Sequence, residues 1–567
     1  MTGEKRRLAS ILLAGAATVA LASPALAAEP ARLAQGDDPY YRQAQEQMRR
    51  VMTQQRNTNR AKNVVLIVGD GMGFSTVTAT RIFEGQRRGV DGESNVLAWE
   101  AFPYLAAAKT YSSDAQITDS APSAVAMTAG VKTKNDIMGL DHTADVSNCE
   151  HQKTKHVTTL WEMAESIGMS TGAVTTARLT HATPGAAYAH IADRDWESDA
   201  DMTPEALAAG CADIARQLVE MPFGDGLEVA MGGGRAYFLP TTADDPEDEG
   251  KKGRRKDGRD LTKAWLDRYS NSGAFVWNKE QFDKLYPNSV DHVLGLFEMS
   301  HMEYEHDRPK DKGGEPSLAE MAEKAIDILA KNPEGYLLMV EGGRVDHASH
   351  AGNAYRTLSD GVALNDAVKA VLRKVNLDET LIVVTGDHSH TLTINGYAKR
   401  GNPILGISVG VDDKVILGDD GKPYTTISFA NGPGSKEPRP AAPATAAAAP
   451  AQTAPAATAE PAVQTGAATP PKTDAAAPAY AGKPRPDVTM EQATDPDYIQ
   501  QALVPMASET HGGEDLGIYA IGPWAHLFQG TVEENYTFHV MDFASRISER
   551  AAAAAGGAQP VRKAEVK

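Results

Sequence analysis

Runs of consecutive apolar, largely β-branched residues recur along the chain at 63–68, 171–175, 227–231, 335–340, 381–385 and 516–521, with stretches of helical periodicity between them. A strand buried on both faces reads as an unbroken apolar run, whereas a strand with one wet face alternates. The recurrence therefore predicts an α/β fold: a three-layer αβα sandwich built on a large, mainly parallel central sheet with helices on both sides. Length alone would allow several domains. The single rhythm argues for one large one.

Two segments break that rhythm. Residues 38–59 are polar and rich in Gln and Arg, which reads as a solvent-facing helix or as an arm clamping a second subunit. From 435 to 483 the composition collapses to Ala, Pro and Thr. Such a segment cannot bury enough apolar surface to offset its ordering entropy and is expected to be a disordered insertion. Residues 551–567 lack a core pattern and are expected to form a disordered tail. The basic run Lys251, Lys252, Arg254, Arg255 and Lys256 reads as a solvated loop, broken by Gly253 and Gly258.

At the start, Lys5, Arg6 and Arg7 precede an apolar run from Leu8, and Ala25-Leu26-Ala27 precedes Ala28. This is the layout of a secretory signal peptide, 1–27. The run is too short to span a bilayer comfortably, and no later segment offers about 20 uninterrupted apolar residues. An exported protein, periplasmic or secreted and without a membrane span, is the expectation. Removing 1–27 takes away Glu4 and three bases, so the formal charge of −19 becomes −21. So acidic a chain repels a nucleic-acid backbone, which argues against a nucleic-acid-binding surface. Small phosphate substrates stay open, because divalent cations can reverse the field inside one cleft. The two cysteines, Cys149 and Cys211, are simplest as one disulfide in an oxidising compartment, with two buried thiols as the alternative.

Candidate chemistry lies just after the predicted strands, where open α/β sheets place their sites. Asp70 ends the first run, Glu341, Asp346 and His350 follow the fourth, Asp387 and His388 follow the fifth, and Glu509-Thr510-His511 precedes the last. Singly, each has a structural explanation: an Asp there commonly caps a helix, and a lone His is commonly a hydrogen-bonded structural group. Together, Asp346 with His350 and Asp387 with His388 offer the mixed carboxylate and imidazole composition that suits zinc. Asp70 and Glu341 with a hydroxyl suit magnesium. Thr118-Asp119-Ser120 runs into a helix rich in small residues, placing Ser120 where exposed amides favour an anion, although an ordinary N-cap would look the same.

The segments 63–81 (through Val68-Gly69-Asp70-Gly71-Met72-Gly73), Thr118-Asp119-Ser120, His181-Ala182-Thr183-Pro184, 341–347, Thr385-Gly386-Asp387-His388-Ser389-His390 and 510–515 resemble the alkaline phosphatase family, in the family's order. The resemblance implies hydrolysis of phosphate monoesters with Ser120 as nucleophile and Arg194 as the phosphate clamp. It implies one zinc on Asp346, His350 and His511, a second on Asp70, Asp387 and His388, and a magnesium on Asp70, Thr183 and Glu341. His181 and His347 resemble the animal branch, implying weaker magnesium retention, faster turnover and a higher pH optimum than in the best-known bacterial branch. A fourth, calcium-type site is matched to Glu247, Phe297, Glu298 and Glu315. The resemblance also implies a homodimer, an N-terminal arm at 28–60, a catalytic domain at 61–395 and 506–550, and a small crown-like interface lobe at 396–505. Competing readings are a phosphodiesterase or sulfatase on the same scaffold, and a non-catalytic phosphate- or metal-binding protein.

Overall fold

The computed structural model describes residues 33–435 and 485–556. The signal-type segment 1–27, all but the first residue of the insertion expected at 435–483, and residues 557–567 of the tail lie outside that set. The chain divides into a unit ending at Gln55 and a second from Arg56 onward. In the first, α1 (Pro39–Thr53) follows a single 3-10 turn. Asp38 caps it, accepting from the amides of Tyr40 and Tyr41, and Pro39 occupies the first turn, where its missing N–H costs nothing. No residue of α1 is buried, and Tyr40, Met48, Val51 and Met52 are exposed.

The second unit is organised by strands β1 (Asn63–Gly69), β2 (Tyr104–Lys109), β3 (Ser170–Arg178), β4 (Val229–Gly233), β5 (Gly273–Val276), β6 (His292–Leu296), β7 (Tyr336–Gly342) and β8 (Thr380–Gly386). They are followed by β9 (Ser389–His390), β10 (Leu392–Ile394), β11 (Ile427–Gly432), β12 (Ala502–Pro505), β13 (His511–Gly512), β14 (Leu516–Ile521) and β15 (Gly530–Glu533). Ten of them form one sheet in the order β15-β2-β14-β8-β1-β7-β3-β4-β6-β5. Every pairing from β8 across to β5 is parallel, and β14 alone runs antiparallel to both its neighbours. All seven residues of β1, β7 and β8 are buried.

The alternation of side chains along a strand divides those residues between two hydrophobic cores. Val64, Leu66 and Val68 of β1 join one core with Ala121, Ala124 and Val125, whereas Val65 and Ile67 join the other with Ala325, Leu329, Leu364 and Val368. The first set of partners lies on α3 (Ser120–Ala129), which follows α2 (Phe74–Arg87) in the chain, and the second on the helices Leu318–Leu329 and Ala354–Lys374. Both faces of the sheet are therefore covered, giving the three-layer α/β sandwich.

Beyond the large sheet, β10, β11 and β12 form a three-stranded sheet, with β11 parallel to β12, and β13 pairs antiparallel with β9. Cys149 and Cys211 form a disulfide. The expectation of disorder from residue 551 onward is corrected at its beginning: the helix Ile547–Ala554 continues into it, as an alanine run with high helical propensity can when Ile547 anchors the first turn in the core. Among the described residues, no helix is long and apolar enough to cross a membrane.

Candidate active site

Parallel strands present all their carboxyl ends at one edge of a sheet, and the candidate residues collect there. Asp70 follows β1, Glu341 lies near the end of β7, Asp346 and His350 lie on the helix Arg344–His350 after it, and Asp387 follows β8. Gly71 takes the left-handed conformation (φ 71°), and a Cβ there would collide with the His390 ring, so the turn after β1 requires glycine. The amide of Gly71 donates to Asp387 Oδ1 at 3.0 Å, tying the ends of β1 and β8 together.

Three clusters of ligand-type atoms result. Asp346, His350, His390 and His511 form one, Asp70, Asp346 and His388 a second, and Asp70, His181 and Glu341 a third. In the first, Asp346 Oδ1 lies 2.7 Å from His390 Nε2, 3.2 Å from His350 Nε2 and 3.5 Å from His511 Nε2. Burial opposes ionisation of Asp346, but His390 and His350 hold its carboxyl well below the ordinary range. In the second, His388 Nε2 is 3.2 Å from Asp70 Oδ1, 3.4 Å from Asp387 Oδ2 and 3.0 Å from Ser120 Oγ.

Ser120 opens α3, with its amide end toward the cluster. Asp119 is the N-cap: its Oδ1 accepts from the Ala121 amide at 2.6 Å and from Arg194 Nη1 at 3.0 Å. Arg194 Nη2 is 3.1 Å from His181 Nε2. The guanidinium is thus aimed into the same cleft as the Ser120 hydroxyl, with its orientation fixed by a carboxylate behind it. Burial, reinforced by Arg194, pushes His181 well below the usual imidazole range, so its ring is neutral.

Cations fit these residues on the evidence of what is left unpaired. Both carboxylate oxygens of Asp70, Oδ2 of Asp387, Oε1 of Glu341, Oγ1 of Thr183 and Nδ1 of His181 are buried without a hydrogen-bond partner. Burial, then the neighbouring carboxylates, raises Asp70 well above its ordinary value and Asp387 to about 6. Burial also carries Glu341 to about 7. So many unsatisfied oxygens in one buried place would be strongly destabilising without positive charge to compensate them.

Several neighbours of the site have contacts that the sequence does not assign. His390 shares the His-x-His spacing with His388, a period-two signal that sets both rings on one face, and it reaches Asp346 on one side and Glu509 Oε2, at 2.6 Å, on the other. Glu509 also accepts from the Thr391 amide and hydroxyl, both at 2.6 Å. His301 carried no local signal, yet its ring lies 4.0 Å from His347 and 5.4 Å from His181 between ring centres. The acidic group near Glu298 includes a carboxylate that the sequence did not single out, Asp311. Glu247, Glu298 and Asp311 bring ligand atoms within 4.8 Å of one another, and Glu315, buried beside Glu298 and Asp311, accepts the Glu303 amide at 3.0 Å while its Oε2 has no partner. Phe297 packs edge-on against Phe282.

Known proteins share this architecture. Residues 61–547 match the sequence model described as alkaline phosphatase. The chain is 41% identical over 498 residues to an alkaline phosphatase of Gadus morhua, covering 87% of this chain and 93% of that one. It is 41% identical over 519 residues to the tissue-nonspecific isozyme of Homo sapiens, covering 90% and 89%. Among solved structures, the alkaline phosphatase of Thermus thermophilus superposes with a TM-score of 0.56 at 21% identity, covering 89% of this chain and 97% of that one, which bears on the fold alone. By its match to the family model and by its identity with relatives over nearly their full length, the chain belongs to the alkaline phosphatase family, the phosphomonoesterases.

Proposed function

We propose that this enzyme hydrolyses phosphate monoesters through a phosphoserine at Ser120. The observation that carries the proposal is the convergence of Ser120 Oγ, at the start of α3, with Arg194 and the clusters of unsatisfied acids. Asp346, His350 and His511 would hold one zinc, Asp70, Asp387 and His388 a second, and Asp70, Thr183 and Glu341 a magnesium. Bound there, these ions supply Lewis-acid stabilisation of the nucleophile, the leaving oxygen and the phosphoryl charge.

The residues of the chain do the rest. Ser120 Oγ forms the bond to phosphorus as the bond to the alcohol oxygen breaks, and the alcohol leaves with a proton. Water then attacks the phosphoserine, releasing phosphate and restoring the serine hydroxyl. Arg194 offers a planar fork of N–H donors to two phosphoryl oxygens, pre-aimed by Asp119, and the amide end of α3 favours the same charge. His390 steadies Asp346, and Glu509 steadies His390. Recognition centres on the phosphoryl group, so broad specificity for the alcohol follows.

The enzyme would be an exported homodimer, with the exposed apolar side chains of α1 reaching the partner subunit; the small interface lobe expected at 396–505 lies in part outside the described residues. A fourth cation would sit on Glu247, Phe297, Glu298 and Glu315, with Asp311 beside them. The test is p-nitrophenyl phosphate hydrolysis from neutral to alkaline pH, before and after chelation and with zinc and magnesium restored, beside Ser120→Ala. Alkaline activity lost with the ions and with Ser120 supports the mechanism. Undiminished turnover by Ser120→Ala refutes it, and preferred turnover of diesters or sulfates would redirect it.

A further inference from the structure

A second cluster lies at the opposite, amino edge of the large sheet. His292 is the first residue of β6, Glu228 directly precedes β4, and Asp225 lies in the loop leading into β4. Their ligand atoms lie within 4.8 Å of one another, and His292 Nε2 is 3.5 Å from Asp225 Oδ2. Beside them, Glu165 lies in the helix Leu160–Ser166, its Oε1 accepting from Thr171 Oγ1 at 2.6 Å while its buried Oε2 has no partner.

His292 distinguishes this group from an ordinary acidic patch. It is 4% exposed, and neither ring nitrogen has a hydrogen-bond partner. Its ring is nonetheless held in one orientation, stacked on Tyr269 with 3.8 Å between centres and 8° between planes, and met edge-on by Trp265. A buried imidazole with both nitrogens unsatisfied is costly, and one oriented so firmly toward carboxylates is arranged as a ligand. Burial keeps this ring in its neutral, metal-binding form. The same burial, with repulsion from Glu228, lifts Glu165 to about 9. Mixed imidazole and carboxylate donors favour zinc or a similar transition ion over calcium or magnesium. Asp225, largely exposed, provides the entry path.

We propose that Asp225, Glu228 and His292 form a binding site for a zinc-type divalent cation, remote from the candidate active site. The experiment is calorimetric titration of Zn2+ into the full-length enzyme already loaded at its active centre, for the wild type, Asp225→Asn and His292→Gln. The wild type is expected to take up one further equivalent, with affinity at least about tenfold weaker in each variant, consistent with loss of one ligand. Phosphatase activity of Asp225→Asn should stay unchanged, because this edge of the sheet is not the one that carries Ser120. Equal uptake with equal affinity by wild type and Asp225→Asn, or no further equivalent in the wild type, overturns the proposal. Asp225→Asn alters an exposed side chain, so it decides the question even where His292→Gln fails to fold.

Discussion

Replacing Arg194 by alanine isolates the proposed phosphate clamp from the rest of the cleft. In the structure the guanidinium is held behind by Asp119, at 3.0 Å, and its side chain is only 16% exposed, so its charge acts in a largely dry site. A planar fork gives phosphate two charge-assisted hydrogen bonds, each contributing about 1.5–3 kcal/mol. Part of that is offset when water fills the space left by the side chain, while the Asp119 carboxylate, left without its partner, repels the substrate and adds to the loss. A net loss of about 2–4 kcal/mol remains, which is roughly a 30- to 1000-fold fall in kcat/KM. The assay is steady-state hydrolysis of p-nitrophenyl phosphate by wild type and Arg194→Ala, with bound zinc and magnesium quantified in both. Inhibition by inorganic phosphate should weaken in the same variant, because the product dianion meets the same fork. A fall of less than about threefold with the metals intact would refute the assignment, since less than one ordinary hydrogen bond would then be at stake.

Other residues give independent checks. Chelating the cations should lower the melting temperature as well as the activity, because Asp70, Glu341 and Asp387 are left buried and uncompensated; calorimetry with and without metal restoration measures it. Reducing the disulfide, which closes a separation of 62 residues, should cost about 4 kcal/mol of stability, read by denaturant titration of Cys149→Ser/Cys211→Ser. Asp360 is raised to about 8, first by burial and then by Glu305, so the folded chain holds a proton there that the unfolded chain has released. Its stabilising contribution is full below the unfolded value near 3.8 and is lost as pH rises toward 8, at no more than about 1.4 kcal/mol per pH unit. Asp360→Asn should therefore gain on the wild type across that window, and parallel stability curves would contradict the assignment. His181→Asp should tighten magnesium retention by adding an acid to the cluster of Asp70 and Glu341, checked by the rate of magnesium loss on dialysis.

The interior of the sheet was legible because β1, β7 and β8 are buried on both sides, and doubly buried strands write themselves as unbroken apolar runs. The strands toward its margin were not. In β2 only Ala106 and Ala108 are buried, and small alanines carry little strand signal. The reversal of β14 was equally hidden, since direction leaves no mark on composition. At the site, acids and histidines at strand ends could be read from position, and the family motifs joined them into a set. His390, Glu509 and Asp119 act through other side chains, so their importance lies in contacts between distant segments. Asp311 joins Glu247 and Glu298 for a similar reason: in an acid-rich loop, sequence order does not say which further carboxylate turns toward the group.

The reversed strand β14 ties completion of the proposed site to the late part of the chain. Because it runs against β8, the residues entering it, including His511, arrive at the edge that carries Asp70 and Ser120; a strand in the common direction would have delivered them to the far side. It is also inserted between β2 and β8, two strands made long before it. Neither the sheet nor the His511 corner of the cleft can be completed until nearly the whole polypeptide has been synthesised. A chain still lacking β14 has neither a completed sheet nor the His511 corner of the proposed site, so the order of the strands ties assembly of that site to the last stage of synthesis.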